Sequence, residues 1–167
     1  VSQSAGGSTT SIVSSGLVLQ YDANTAYAGS GTVLTDARGN SNATIVNSPS
    51  YVSSGGGYFN MVGSSSQYMI TNTSLNSKFL GQTNSATTSI FMWVNPTTSN
   101  GVILSEFGSA SISAGWHDSQ IEMVNGVMRF RVWNGAILSS SIATPLNNWY
   151  YVGFVYDQAS QTLKGYI

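Results

Sequence analysis

Short apolar runs, separated by clusters of glycine, asparagine and serine, recur along most of this chain and constrain its fold more than any other feature. Many of them alternate large apolar residues with polar ones, the two-residue period of a half-buried β-strand. The stretch SLNSKFLG (74–81) has ambiguous spacing and predicts a single helical turn on a loop. The sequence therefore predicts an all-β sandwich of antiparallel strands. Eleven runs fit the strand pattern: GLVLQYD (16–22), ATIVN (43–47), YFNMV (58–62), QYMIT (67–71), TSIFMWVN (88–95), GVILSEF (101–107), QIEMV (120–124), VMRFRVW (127–133), AILSSSI (136–142), WYYVGFVYD (149–157) and QTLKGYI (161–167).

The first fifteen residues, VSQSAGGSTTSIVSS, differ in composition from everything that follows. They contain few large side chains and many serines, threonines and glycines, so burial of apolar surface cannot offset the entropy cost of ordering them. We expect residues 1–15 to form a flexible arm or linker and residues 16–167 to form one domain. The first residue is Val1 and not Met, which favours a processed or partial chain.

The dipeptide Asn125-Gly126 is the strongest hairpin signal in the chain, because both residues accept the positive φ of a type I′ turn. Counting outward from this turn predicts the pairs Val124–Val127, Met123–Met128, Glu122–Arg129 and Ile121–Phe130. The register places the Met, Ile and Phe side chains on the core face and the ion pair on the opposite face. A second Asn-Gly pair at 134–135 predicts another hairpin, with Val132 opposite Ile137.

Charged residues are rare in this chain, and this argues against several classes of partner. They make up 7% of the residues, against roughly 25% in an average soluble domain, and the net charge is -1. Five scattered basic residues provide no positive patch for nucleic acid or anionic lipid. No apolar run approaches the roughly 20 residues that span a bilayer. We therefore expect neither nucleic acid nor a membrane as a partner, and a neutral surface that can associate without burying charge.

Metal and cofactor sites have little support in the sequence. The chain has no cysteine and a single histidine, His117, so disulfides, thiolate metal sites and a histidine cluster are excluded, and no cofactor is expected. The loop DARGNSN offers Asp36, Asn40 and Asn42 as oxygen ligands for calcium. Asp and Asn in such a loop more often form Asx-turns, and this is the interpretation we favour.

Carboxylates spaced for catalysis are missing. Glycoside hydrolysis needs two carboxyl groups about 5 to 10 Å apart, which on a strand means positions two apart or facing positions on neighbouring strands. Asp118 and Glu122 come closest in sequence, and Glu122 is better explained as the cross-strand partner of Arg129. A Ser-His-Asp arrangement with His117 and Asp118 lacks a Gly-x-Ser-x-Gly elbow. We expect no enzymatic activity.

Two surface features are candidates for carbohydrate chemistry. Arg129, Arg131 and Trp133 share one face of a predicted strand, where guanidinium donors beside an indole ring could bind a sugar. An ordinary solvated face with one exposed Trp is the alternative. Two sequons, Asn42-Ala-Thr and Asn72-Thr-Ser, lie in predicted loops and are candidate glycosylation sites, at which the chain would carry a glycan and not bind one.

Several segments, in their order and spacing, resemble the laminin-G-like branch of the concanavalin A-like lectin and glucanase superfamily, which is common in bacterial surface and phage proteins. The resemblance spans residues 16–167 and implies a two-sheet antiparallel jelly roll. Two departures stand out: the chain ends before the further strands that members of this branch add, and the closely spaced carboxylates of the hydrolytic branch are missing. The segments that carry the resemblance are GLVLQYDA, TDARGNSNATIVNSPSYV, GGGYFNMVGSSSQYM, TTSIFMWVNP, VILSEFG, GVMRFRVWNG and TPLNNWYYVGFVYDQASQTLKGYI.

The strand Trp149–Asp157 is apolar on both faces, which predicts an interior strand covered on both sides. Because the resembling family continues beyond LKGYI, we expect the jelly roll to be incomplete at its C-terminal side and completed by a strand from elsewhere. The resulting hypothesis is a structural subunit of an extracellular filament or virion-type assembly, in which copies of the chain are linked by β-strand addition. The alternative is a lectin-like carbohydrate-binding module of a larger surface or phage tail protein.

Overall fold

The computed structural model describes residues 13–72, 87–107, 117–132, 136–157 and 159–167, with no account of the side chains of 117, 118 and 136–142. Within these ranges the regular elements are β-strands and two short 3-10 turns, Ser54–Gly56 and Gly63–Ser65, and every strand pair is antiparallel. The predicted all-β fold is confirmed. The strands are β1 (Val33–Leu34), β2 (Ala43–Val46), β3 (Ser50–Val52), β4 (Tyr58–Asn60), β5 (Tyr68–Thr71), β6 (Thr87–Val94), β7 (Gly101–Phe107), β8 (His117–Val124), β9 (Val127–Val132), β10 (Ala136–Ala143), β11 (Tyr150–Asp157) and β12 (Thr162–Tyr166).

The described strands form four sheets, where the resemblance implied two. We call the order β10-β9-β8-β7 the arginine sheet, the order β12-β11-β6 the aromatic sheet, and the order β1-β2-β5 the N-terminal sheet; β3 and β4 form a separate hairpin. No helix in the described ranges is long and apolar enough to cross a membrane. The helical turn expected at 74–81 lies outside the described residues.

The main hydrophobic core combines side chains of the arginine sheet and the aromatic sheet. Burial of each large apolar side chain contributes about 1.5 to 3 kcal/mol, so this core is the main source of stability. A smaller core under the N-terminal sheet consists of Leu34, Ala43 and Ile45, against which Tyr21 and Phe59 pack among others. The buried members of the main core are Ile121, Met123, Met128, Phe130, Val152, Phe154 and Tyr156.

The Asn125-Gly126 hairpin forms as predicted. Asn125 and Gly126 have φ values of 51° and 79°, and the pairs on either side are Val124–Val127, Met123–Met128, Glu122–Arg129 and Ile121–Phe130. The apolar members of the inner pairs are buried and the ion pair lies on the other face. A local turn preference and a two-residue period are therefore enough to define this half of the arginine sheet.

The register expected for the next hairpin is wrong by one residue. Val132 pairs with Ala136 and Arg131 pairs with Ile137, so three residues, 133–135, separate the paired positions and the two-residue turn that was expected does not fit. A further shift falls between Ser139 and Ala143. The serines of β10 give no apolar pattern that would hold one register against another, and pairing is then decided by the neighbouring strands.

The run GLVLQYD (16–22) does not form the expected strand and contributes only an isolated bridge between Tyr21 and Asp36. Its backbone groups are satisfied by the loop after β1: the Asp36 carboxylate accepts from the N–H of Gln20 at 2.9 Å, and the Asn40 side chain donates to the carbonyl of Val18 at 2.7 Å. Side-chain partners thus replace a strand ladder. The short strands β1 and β3 were not predicted.

Strand β11 is interior to its sheet, as predicted, but the predicted cover on both faces is not found within the described residues, because Tyr151 on the outer side is 52% exposed. It pairs with β6 along its whole length and with β12 over residues 153–157. Val152 and Phe154 on its inner side are buried. Strand β12 packs against the core through Gly165, because a Cβ at that position would come within 2.5 Å of the Phe130 ring.

Candidate functional site

The expectation that no two carboxylates face each other on neighbouring strands is wrong for the arginine sheet, because its register pairs Glu106 of β7 with Asp118 of β8.

Arg129 and Arg131 lie side by side on the outer face of the arginine sheet, as their alternation predicts, and both contact the carboxylate of Glu122. Nη2 of Arg129 is 2.6 Å from Oε1 of Glu122, and its Nε donates to the same oxygen at 2.7 Å. Nη1 of Arg131 is 3.6 Å from that oxygen. The third residue of this candidate site, Trp133, lies outside the described residues. Glu122 is therefore a structural ion-pair partner, and it orients the two guanidinium groups.

Asp36 organises the loop DARGNSN, because both oxygens of its carboxylate accept hydrogen bonds. Its side chain is buried and accepts backbone N–H groups at 2.8 to 3.1 Å. Burial acts to raise the pKa of Asp36, but the four backbone donors outweigh burial and lower this pKa below its ordinary value. The donors are the N–H groups of Gln20, Arg38, Asn40 and Ser41.

This arrangement agrees with the Asx-turn interpretation, because side-chain oxygens of Asp36 and Asn42 accept backbone N–H groups. Oδ1 of Asn42 accepts from the N–H of Asp36 at 3.0 Å, and the Asn40 amide donates to a carbonyl. The described residues contain no group of three or more His, Cys, Asp or Glu that could hold a metal ion. The hydrogen bonds of this loop hold the segment that precedes β1 in place.

The hydroxyl of Tyr21 donates to the carbonyl of Ser41 at 2.5 Å and ties the same loop to the N-terminal segment. Burial, reinforced by the nearby charge of Asp36 and partly offset by the side chain of Ser41, raises the pKa of Tyr21 to about 12. The phenol therefore stays protonated and keeps its role as a donor. This contact was not predicted, since Tyr21 was assigned to a strand.

The two sequon asparagines are neighbours at one end of the N-terminal sheet. Both are exposed, and the N–H of Asn72 donates to the carbonyl of Asn42 at 2.8 Å. The hydroxyl of Thr44, the third residue of the first sequon, donates to Oδ1 of Asn72 at 2.5 Å. The structure thus brings the two candidate glycosylation sites together, while the remainder of the second sequon lies outside the described residues.

The outer face of the aromatic sheet carries four exposed aromatic side chains that follow one another across the strands. We call them the aromatic row: Tyr166, Phe91, Tyr151 and Trp93. Their exposed fractions are 46%, 46%, 52% and 64%. Successive ring centroids are 6.0, 5.9 and 5.2 Å apart, and the central pair, Phe91 and Tyr151, is nearly parallel with an interplanar angle of 19°.

Strand register and a glycine assemble the aromatic row. Trp93 pairs with Tyr151, whereas Phe91 and Tyr166 pair with the same residue of the central strand, Gly153. A Cβ at position 153 would lie 2.2 Å from Cδ1 of Phe91, so the Phe91 ring occupies the space that a side chain would take. Because Gly153 has no side chain, the ring lies down on the sheet between its neighbours.

A shallow cleft of about 320 Å³ adjoins the opposite end of the same face. Its lining is polar apart from one valine: Thr87, Val155, Asp157, Ser160, Thr162 and Lys164. A hydrogen bond from the Ser160 hydroxyl to Asp157, at 2.9 Å, lowers the pKa of that carboxyl, with burial opposing and the N–H groups of Ala159 and Ser160 assisting. The face therefore offers apolar rings at one end and hydrogen-bonding groups at the other.

Comparison of the chain with protein-family models, with curated proteins and with solved structures gives no match. The candidate sites consequently stand on their geometry. The aromatic row was not predicted from the sequence, although its members are visible there: Phe91 and Trp93 alternate on one strand, and Tyr151 belongs to a strand that is apolar on both faces. What the sequence lacks is the pairing that puts these strands side by side.

Proposed function

We propose that this chain is a structural subunit of an extracellular filament or virion-type assembly, and that its copies are linked by β-strand addition. The supporting observation is the edge of β12. This strand pairs with β11 on one side and with no other strand of the described ranges. An open edge presents N–H and C=O groups that another strand can satisfy with a regular ladder.

Composition supports the same proposal. Only 7% of the residues are charged, so copies can approach one another without desolvating many ions. In this proposal the arginine and aromatic sheets are the two halves of a jelly roll of the concanavalin A-like type, and the added strand extends the aromatic sheet.

The proposed donor is the arm, residues 1–15, of another copy. A segment of small polar residues gains backbone hydrogen bonds on joining an edge and needs few side-chain pockets. Its last described residues, 13–15, are exposed, with Val13 at 78%. The assembled state would then be head-to-tail, because the arm of one copy joins the β12 edge of the next.

Deleting residues 1–15 should leave monomers with unchanged β-sheet circular dichroism, while the full chain forms long particles in analytical ultracentrifugation and electron microscopy. A matched pair of arm variants separates backbone pairing from side-chain effects. Prolines at Ser8, Thr10 and Ile12 remove N–H donors and should block assembly, whereas alanines at the same positions should permit it. Equal assembly of the proline and alanine variants would contradict strand addition, and a full chain that stays monomeric would contradict the subunit role itself.

A lectin-like module is the second candidate function, and the convergence of Arg129 and Arg131 on one carboxylate favours it. Their side chains are 30% and 35% exposed, so donors of both lie at the surface beside Glu122. A glycan array that compares the full chain with Arg131→Ala and Trp133→Ala tests this site. Binding that both variants abolish supports it, and glycan binding that neither variant changes assigns recognition to another surface.

A further inference from the structure

The aromatic row is an exposed apolar surface with a regular spacing. Four rings from three strands succeed one another at 5.2 to 6.0 Å, and each exposes 46% or more of its surface. Isolated exposed aromatics are ordinary on a protein surface, but a contiguous set of this kind marks a place where something binds. Trp and Tyr are also the side chains that contribute most to binding energy.

The charges near the row restrict what its ligand can be. The row contains no Asp, Glu, Lys, Arg or His side chain. The charged groups of the same face, Asp157 and Lys164, have opposite signs and line the cleft at the other end. The described residues of this face include no run of basic side chains that would bind a polyanion such as nucleic acid, so the face suits a neutral ligand.

The spacing of the rings and the nearly parallel central pair indicate the chemistry of that ligand, with Trp93 tilted by 45° from Tyr151. The ring-to-ring distances are comparable with the length of one pyranose unit, and the face of a pyranose presents C–H groups that pack on an aromatic ring. Phe91 and Tyr151, at 19° to each other, provide two adjacent platforms of nearly the same orientation. Gly153 makes this possible because a side chain there would lift the Phe91 ring.

The cleft supplies the polar half of such a site. Asp157 lies four positions along β11 from Gly153, the residue beneath the Phe91 ring, which is a distance of about 13 Å. A chain of a few sugar units that stacks on the row therefore reaches the hydroxyls of Ser160 and Thr162 and the carboxylate of Asp157.

We propose that the aromatic row binds a neutral oligosaccharide or polysaccharide, whose sugar rings stack on Phe91, Tyr151 and Trp93 while its hydroxyls hydrogen-bond in the adjoining cleft. This binding is independent of strand addition, and it uses a face other than that of Arg129 and Arg131. A structural subunit with such a face would present a sugar-binding surface on the outside of its assembly.

The test is isothermal titration calorimetry of the full chain with cellohexaose, chitohexaose, mannohexaose and xylohexaose, supported by tryptophan fluorescence. We expect at least one hexasaccharide to bind, and Trp93→Ala and Tyr151→Ala each to weaken it by about three- to tenfold. Trp149→Ala is the matched control, because Trp149 is also exposed but packs on Tyr58, with ring centroids 5.2 Å apart. The affinity of this variant for the hexasaccharide should equal that of the wild type. The row residues are exposed, so their removal leaves the core intact.

Three outcomes overturn the proposal: no hexasaccharide binds; Arg131→Ala abolishes binding that the Trp93 and Tyr151 variants retain; or the row variants change the sedimentation of the chain but not its sugar binding. The last result would make the row an interface between copies. Assembly that survives loss of the arm would refute strand addition and leave the sugar site untouched, so the two proposals fail separately.

Discussion

Replacing Gly165 by alanine tests the packing that joins β12 to the core. A Cβ at this position would lie 2.5 Å from Cδ2 and 2.7 Å from Cε2 of Phe130, whereas carbon atoms in contact prefer about 3.5 to 4.0 Å. Roughly 1 Å of space must therefore open between the two sheets. Phe130 is only 2% exposed and has Ile121 as its strand partner, so its ring cannot turn away into solvent.

Overpacking of this kind costs about 1 to 3 kcal/mol. In a domain of this size each kcal/mol lowers the melting temperature by about 2 to 4 °C, so Gly165→Ala should melt roughly 2 to 12 °C below the wild type. Differential scanning calorimetry and urea unfolding measure this loss. The matched control is Gly101→Ala on β7, whose Cβ would meet only the Thr98 hydroxyl at 3.6 Å and should change stability little.

A double-mutant cycle with Phe130→Leu shows whether the ring is the cause. The smaller side chain makes room for the new methyl group, so the double variant should lose less stability than the sum of the single losses, with a coupling of about 0.5 kcal/mol or more. A Gly165→Ala protein as stable as the wild type, or strictly additive losses, would show that β12 does not pack on Phe130 as described.

Two further changes test local features. Asp36→Asn removes the acceptor for two backbone N–H groups and should cost on the order of 2 to 3 kcal/mol at neutral pH in urea unfolding. Folding lowers the pKa of Asp36, so the stability that its carboxylate contributes is complete above the unfolded pKa of about 3.9 and is lost as the pH falls through the folded pKa. The difference in unfolding free energy between wild type and Asp36→Asn should therefore shrink on acidification. A difference that does not depend on pH would contradict the role of the carboxylate. Gly126→Ala should cost about 1 kcal/mol in the same assay because φ is +79° while the surrounding space is open, and an unchanged stability would argue against the type I′ turn.

Much of the arginine sheet was predictable because its determinants are local. The Asn125-Gly126 turn sets one register, and counting from it places Glu122 opposite Arg129 and buries Met128 and Phe130. A two-residue turn with positive φ and a two-residue side-chain period involve only neighbours in sequence. The side-by-side placement of Arg129 and Arg131 follows from the same alternation, but the contact of both with one carboxylate does not, since it depends on side-chain reach across the strands.

The structure of the N-terminal segment could not be predicted in this way. GLVLQYD has the composition of a strand, yet its backbone pairs with the side chains of Asp36 and Asn40. Hydrogen bonds from backbone N–H groups to a carboxylate replace the hydrogen bonds of a paired strand. Which set forms depends on where the loop lies in three dimensions.

By itself, the amino-acid sequence determined that this chain is all-β, where most of its strands run and which side of each hairpin strand is apolar. Only the tertiary structure decided which strands are neighbours, and therefore that Phe91, Tyr151 and Tyr166, far apart in the chain, form one row over Gly153. The physical reason is that strand periodicity is a local property, whereas the order of strands in a sheet follows from the burial of whole faces in a common core. The face left over after that burial carries the aromatic row.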